Sequence, residues 1–117
     1  MKEKVTYEIL FKKLKKYMSK NELLLIEEYY KEAEDIYQGM TRLTGEDYIY
    51  HSIYVAYLLA EIKMDVTTIG SALIHEAIKL EKRTFEEIQE KFNSETAIIL
   101  ESIISAFGKS KILSLLQ

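Results

Sequence analysis

The residues best suited to chemistry are two histidines and a glutamate. His75 and Glu76 are adjacent in the stretch SALIHEAIKL, residues 71–80, whose other positions have the apolar spacing of a buried helix face. Burying such a pair costs several kcal/mol unless it is hydrogen-bonded, paired or bound to a metal. The other histidine, His51, precedes a second apolar helical pattern. Imidazole and carboxylate groups are common ligands of Zn, Fe and Mn ions, so the alternatives are a metal site and hydrogen-bonded structural histidines.

The elements that must position these residues are helices. The chain has no proline and four glycines, and no stretch alternates like a strand, so the sequence predicts an all-α protein. Capping boxes are expected where Ser19 precedes Glu22 and where Thr84 precedes Glu87. The first two predicted helices run from Thr6 to about Met18 and from Ser19 to about Gly39. The third is entered by His51 and carries Ile53 to Ile62, and the fourth starts at Asp65 or Thr67 and contains residues 71–80. Thr84 caps the fifth helix and Ser94 the sixth, which a short apolar tail follows.

Bulk composition limits the classes of function. A chain of 117 residues with 48% hydrophobic residues suits one domain over residues 1–117. The absence of cysteine excludes disulfides and thiolate sites and favours a reducing cytoplasm. The longest apolar runs are shorter than the roughly 18 residues of a membrane span. The net charge of -3, with both signs interleaved, argues against nucleic acid as a partner.

Two segments carry a family resemblance. RLTGEDYIYH, residues 42–51, and HEAIKLEKRTFEEIQEKF, residues 75–92, resemble the amino-terminal hydrolase domain of the RelA/SpoT family, a branch of the HD metal-dependent phosphohydrolases. The resemblance covers about residues 26–107. It implies an HD-type helical bundle, truncated at the C-terminal side. The implied reaction is hydrolysis of the 3′-pyrophosphate of guanosine tetra- and pentaphosphate by a Mn²⁺-activated water.

The resemblance also assigns roles to particular residues. His51 and His75 match two metal ligands, and Glu76 stands where the family has the aspartate of its H-D motif. The extra methylene of glutamate shifts the carboxylate further than metal distances usually tolerate. The implied nucleotide contacts are Arg42 against the guanine base, Thr44 in the turn that shapes the pocket with Gly45 and Glu46, and Tyr48 in its aromatic wall.

Several departures from the family pattern argue against strong catalysis. Lys79 and Leu80 occupy the positions of a Glu-Asp pair that handles the attacking water and the leaving group, and neither can act as a carboxylate acid or base. Leu43 stands where many members have a basic residue. The family's last metal-ligating aspartate falls in a segment beyond Gln117, and Glu101 is expected to face solvent instead. The catalytic residues are therefore unassigned.

Three functions remain open at this point. The chain could be a Mn²⁺-dependent hydrolase completed by a second chain, a non-catalytic module that binds nucleotide or metal, or a helical interaction domain. We expect weak or absent metal binding at His51, His75 and Glu76. We also expect a homo-oligomer, because a partial bundle leaves apolar helix faces uncovered.

Overall fold

A computed structural model of the chain describes residues 4–103, which fall into two compact units, the first ending at Ile74 and the second beginning at His75. Within the described range the chain is helical, apart from one isolated antiparallel bridge between Thr41 and Asp47. The all-α prediction is confirmed, whereas a single domain over residues 1–117 stays a prediction. The helices are α1 Tyr7–Leu14, α2 Lys20–Tyr37, α3 Tyr48–Glu61, α4 Val66–Leu73 and α5 Phe85–Lys91, with α6 covering residues 94–103.

The first unit is built by four helices. Helix α3 packs against α1, α2 and α4, and α2 also packs against α4. Helices α2 and α4 approach closely at Gly70 of α4, where an added Cβ would lie 2.5 Å from Cε2 of Tyr29 on α2. The small residue at position 70 thus serves helix packing. The buried apolar side chains that fill this unit are Leu10, Leu14, Met18, Ile26, Tyr29, Ala33, Ile36, Tyr37, Ile53, Ala56, Ala60, Ile69, Ala72, Leu73 and Ile74.

The second unit contains α5 and α6. The predicted capping box at α5 is confirmed: the Thr84 amide donates to the Glu87 carboxylate at 2.8 Å, and the Glu87 amide donates to the Thr84 hydroxyl at 3.1 Å. The predicted cap of α6 at Ser94 is wrong by one residue. Asn93 holds that position, because its side-chain oxygen accepts from the Thr96 amide at 2.7 Å. The buried apolar side chains here are Ala77, Ile88, Ala97 and Leu100.

Two helix ends differ from the predictions. Helix α1 ends at Leu14 rather than Met18, and residues 15–17 form a turn. Helix α4 ends at Leu73, where the cap residue Ile74 leaves helical geometry at φ -112° and ψ 20°. Residues 74–80 continue as turns, so the stretch SALIHEAIKL is not one helix. His75 and Glu76 therefore lie in a turn segment, where backbone hydrogen bonds such as Leu80 N–H to the Glu76 carbonyl, at 2.9 Å, still hold the chain.

Of the remaining helix starts, that of α3 differs from expectation: Asp47 is its cap residue, so the helix begins at Tyr48, three residues before His51. The capping box of Ser19 and Glu22 starts α2 as predicted, and His51 lies in the first turn of α3. The apolar tail after residue 110 lies outside the described residues. In the part of the chain that the structure covers, every helix is too short or too polar to cross a membrane.

Candidate functional site

The loop between α2 and α3 holds two of the three predicted nucleotide-binding residues, and the third begins α3. The Arg42 amide donates to the Glu46 carbonyl and the Gly45 amide donates to the Arg42 carbonyl, both at 2.8 Å. The Tyr48 amide donates to the Met40 carbonyl at 3.0 Å and closes the base of the loop. Gly45 has φ +89°, a backbone conformation that glycine adopts without strain. The shape of the loop is thus fixed by its own backbone.

The side chains of this loop differ in how they are held. The Arg42 side chain is 38% exposed, and its Nη1 lies 3.7 Å from Oε1 of Glu46. Thr44 and Leu43 are exposed, whereas Tyr48 is half-buried and its ring stacks on Tyr37 with centroids 5.5 Å apart. An exposed ion pair of this length is weak, so the guanidinium can exchange Glu46 for a ligand at little cost. The loop therefore presents Arg42 and Thr44 to solvent.

A groove of about 700 Å³ lies beside the loop in the first unit. Its lining includes the carboxylates of Glu34, Asp35 and Asp47, and it includes none of the three predicted nucleotide contacts. The Lys4 ammonium lies over one of its tyrosines, Tyr50, at 4.2 Å from the ring centroid. Carboxylates repel phosphate, so this groove is not suited to a guanosine polyphosphate.

The second group of candidate residues lies in the turn after α4. His75 Nε2 is 3.4 Å from Oε1 of Glu76, and these side chains are 11% and 14% exposed. The Lys79 ammonium lies 3.7 Å from the other carboxylate oxygen, Oε2, and its side chain is 40% exposed. Both oxygens of Glu76 therefore have a nitrogen partner supplied by the chain itself. We call these three residues the His–Glu–Lys cluster.

These contacts decide whether the residues fit a divalent metal. His75 and Glu76 are brought together, and His51 lies half-buried on α3 in the first unit. Among the described residues, no group of three or more histidine and carboxylate side chains could hold a metal ion. The Lys79 ammonium beside Glu76 cannot coordinate a metal and repels one. The arrangement around Glu76 does not fit a metal.

Comparison with known proteins places the chain in a family. A family model described as the HD domain matches residues 30–110. The chain belongs to the HD domain family. Among curated proteins, it is 31% identical over 97 residues to the bifunctional (p)ppGpp synthase/hydrolase SpoT of Escherichia coli K12, covering 83% of this chain and 14% of that protein.

Two further relatives carry the name guanosine-3′,5′-bis(diphosphate) 3′-pyrophosphohydrolase. The protein from Spiroplasma citri is 33% identical over 113 residues, covering 93% of this chain and 15% of the relative. The protein from Aquifex aeolicus is 38% identical over 86 residues, covering 74% of this chain and 12% of the relative. The resemblance to the RelA/SpoT family is therefore confirmed. The chain spans 12–15% of the length of these curated relatives.

Sequence reasoning treated Lys79 as a lost carboxylate and missed its contact with Glu76. The signal was present in the sequence, because opposite charges three residues apart lie on the same side of a helical or turn backbone. Glu101 is exposed, in agreement with its predicted solvent-facing position.

Proposed function

We propose that this HD domain binds guanosine tetra- or pentaphosphate through the loop between α2 and α3, and that its hydrolysis of the 3′-pyrophosphate is weakened or lost. The observation that carries the proposal is the accessible Arg42 side chain on a loop that backbone hydrogen bonds hold in shape. A planar guanidinium can stack on a purine base. The relatives named above as pyrophosphohydrolases support the choice of nucleotide.

The weakened hydrolysis follows from the chemistry of the His–Glu–Lys cluster. A general base near neutral pH needs a group that can take a proton from water, and Lys79 and Leu80 replace the two carboxylates that serve the family in this role. Losing one positioned acid or base lowers a rate by about 10²- to 10⁴-fold. Mn²⁺ as the cofactor, and a cytoplasmic location, stay predictions.

Binding is tested by titrating guanosine tetraphosphate into the tag-free protein in a calorimeter. We expect Arg42→Ala to weaken binding about 10-fold, because the stacking cation is lost. Arg83→Ala is the matched control, since it removes the same charge from a residue of the second unit, whose Nη1 donates to the Lys82 carbonyl at 2.8 Å. Leu43→Lys restores the basic residue of the family at a fully exposed position and should tighten binding. Equal affinity of wild type, Arg42→Ala and Leu43→Lys would contradict the proposed site.

Hydrolysis is tested separately by the release of pyrophosphate from guanosine tetraphosphate in the presence of Mn²⁺. We expect a rate at least ~10²-fold below that of a full-length hydrolase measured alongside. The decisive contrary result is turnover at several per second that His75→Ala abolishes. In that case the chain is a working hydrolase that obtains its missing groups elsewhere.

A helical interaction module is the second candidate. Leu58 and Ile62, one turn apart at the end of α3, are 45% and 67% exposed, and both are apolar. We propose that a second copy of the chain covers such surface. Light scattering at high protein concentration should then show at least a dimer, and a strictly monomeric species would contradict this.

A further inference from the structure

The position of Lys79 bears on what the candidate site can bind. Its ammonium lies 3.7 Å from Glu76 Oε2, while His75 Nε2 lies 3.4 Å from Oε1 of the same carboxylate. The Glu76 side chain is 14% exposed, so its charge is largely withdrawn from water. A carboxylate in that position needs a positive partner to be stable.

We infer that Lys79 is a built-in cation that takes the place of a divalent metal at Glu76, and that it determines whether this site accepts a metal. An ammonium and a metal ion compete for the lone pairs of one carboxylate, and their like charges disfavour both lying beside it. The ammonium belongs to the chain, so its local concentration is fixed and it needs no free metal to balance the charge of Glu76. A divalent ion would have to displace it and then meet its repulsion at close range.

The residue at position 79 therefore affects Mn²⁺ binding at Glu76 in two ways. Its charge repels a metal, and its occupation of Oε2 leaves the metal a single carboxylate oxygen at best. A neutral side chain at position 79 removes both effects, and an acidic side chain adds a further oxygen ligand. The structure thus predicts an order of Mn²⁺ affinity across substitutions at this single position.

The inference rests on the part of the proposed function that concerns hydrolysis, but its test uses Mn²⁺ alone, without nucleotide. Free Mn²⁺ gives an electron paramagnetic resonance signal that is lost on binding, so titration of tag-free protein measures the dissociation constant directly. The variants are Lys79→Gln, Lys79→Glu and Lys79→Arg, with Lys82→Gln as a matched control that loses the same charge at an exposed lysine of the same segment. Circular dichroism melts establish that each variant is folded.

We expect Lys79→Gln to bind Mn²⁺ at least ~10-fold more tightly than wild type, which corresponds to removing about 1.4 kcal/mol of repulsion. Lys79→Glu should bind more tightly still, and His75→Ala in that background should reverse the gain. Lys79→Arg and Lys82→Gln should behave as wild type.

Two results would overturn the inference. One is that wild type binds Mn²⁺ as tightly as Lys79→Gln and Lys79→Glu. The other is that Lys82→Gln raises affinity as much as Lys79→Gln, because the effect would then be one of net charge. The Mn²⁺ titration gives an answer even if the calorimeter shows no nucleotide binding, so the inference and the proposed function can fail independently.

Discussion

Gly70→Ala tests the close contact between α2 and α4 in the first unit. The alanine methyl would lie 2.5 Å from Cε2 and 2.6 Å from Cγ of Tyr29, whereas carbon atoms in contact need about 3.5–4.0 Å. Tyr29 is 3% exposed, so its ring cannot move into solvent to relieve the overlap. Either α2 and α4 must separate or the ring must leave its preferred rotamer.

The expected magnitude combines two opposing effects. Overpacking a core commonly costs about 1–3 kcal/mol, and the overlap with three ring atoms suggests the upper part of that range. Alanine gains about 1 kcal/mol over glycine inside a helix. The net loss in free energy of unfolding is then about 2 kcal/mol, or roughly 8 °C in Tm for a chain of this size.

Urea unfolding followed by circular dichroism measures this loss. Thr67→Ala, a substitution one turn earlier on α4, is the control for propensity alone. A double-mutant cycle with Tyr29→Leu isolates the contact, because once the ring is removed the Gly70→Ala substitution should be harmless or stabilising. If Gly70→Ala is as stable as wild type, or more stable, helix propensity outweighs packing here and the reasoning about this contact is refuted.

Two predictions concern pH. Hydrogen bonds from the Thr68 side chain and amide lower the pKa of Asp65 below its usual 3.8. The stability that the ionised cap adds to α4 is therefore present at neutral pH and is lost as acid protonates Asp65 in the folded protein. Asp65→Ala should therefore cost about 1 kcal/mol at pH 7 and less near pH 2, while Asp65→Asn retains most of the cap, as urea unfolding at both pH values would show. Burial raises the pKa of Tyr7, whose hydroxyl finds no hydrogen-bond partner among the described residues. The folded state favours the neutral phenol, so the contribution of Tyr7 to stability is full below about pH 10 and declines above it. Tyr7→Phe should therefore match or exceed the stability of wild type at pH 7 and should lose less stability than wild type in alkali. A loss of stability above ~1 kcal/mol at pH 7 would count against this.

Helix starts could be predicted from sequence where one side chain pattern determines them. The capping boxes at Ser19 and Thr84 are local hydrogen-bond arrangements and appear where predicted. The end of α4 could not be predicted, because no glycine or proline marks Ile74 and the apolar spacing continues past it. Packing overrides propensity at such a point. The one-residue error at α6 arose because Asn93 and Ser94 are both good caps and only backbone geometry distinguishes them.

The candidate site was predictable to a similar extent. The sequence identified Arg42, Thr44, His75 and Glu76 by their motifs, and the structure brings His75 and Glu76 into contact. Their environment was not predictable, because the direction of the Lys79 side chain depends on the turns that follow α4. Residue types therefore nominated the candidate residues, whose roles stay predictions, and the structure added the charged partner of Glu76.

The loop between α2 and α3 has a consequence for how binding preference can evolve. Its geometry rests on backbone hydrogen bonds among Met40, Arg42, Gly45, Glu46 and Tyr48, and the exposed side chains at its tip take no part in them. Under the proposed function, substitutions at residues 43 and 44 would change which ligand the loop recognises while the backbone keeps its shape. One or two codon changes at the tip of the loop would then be enough to explore a new specificity without a loss of folding.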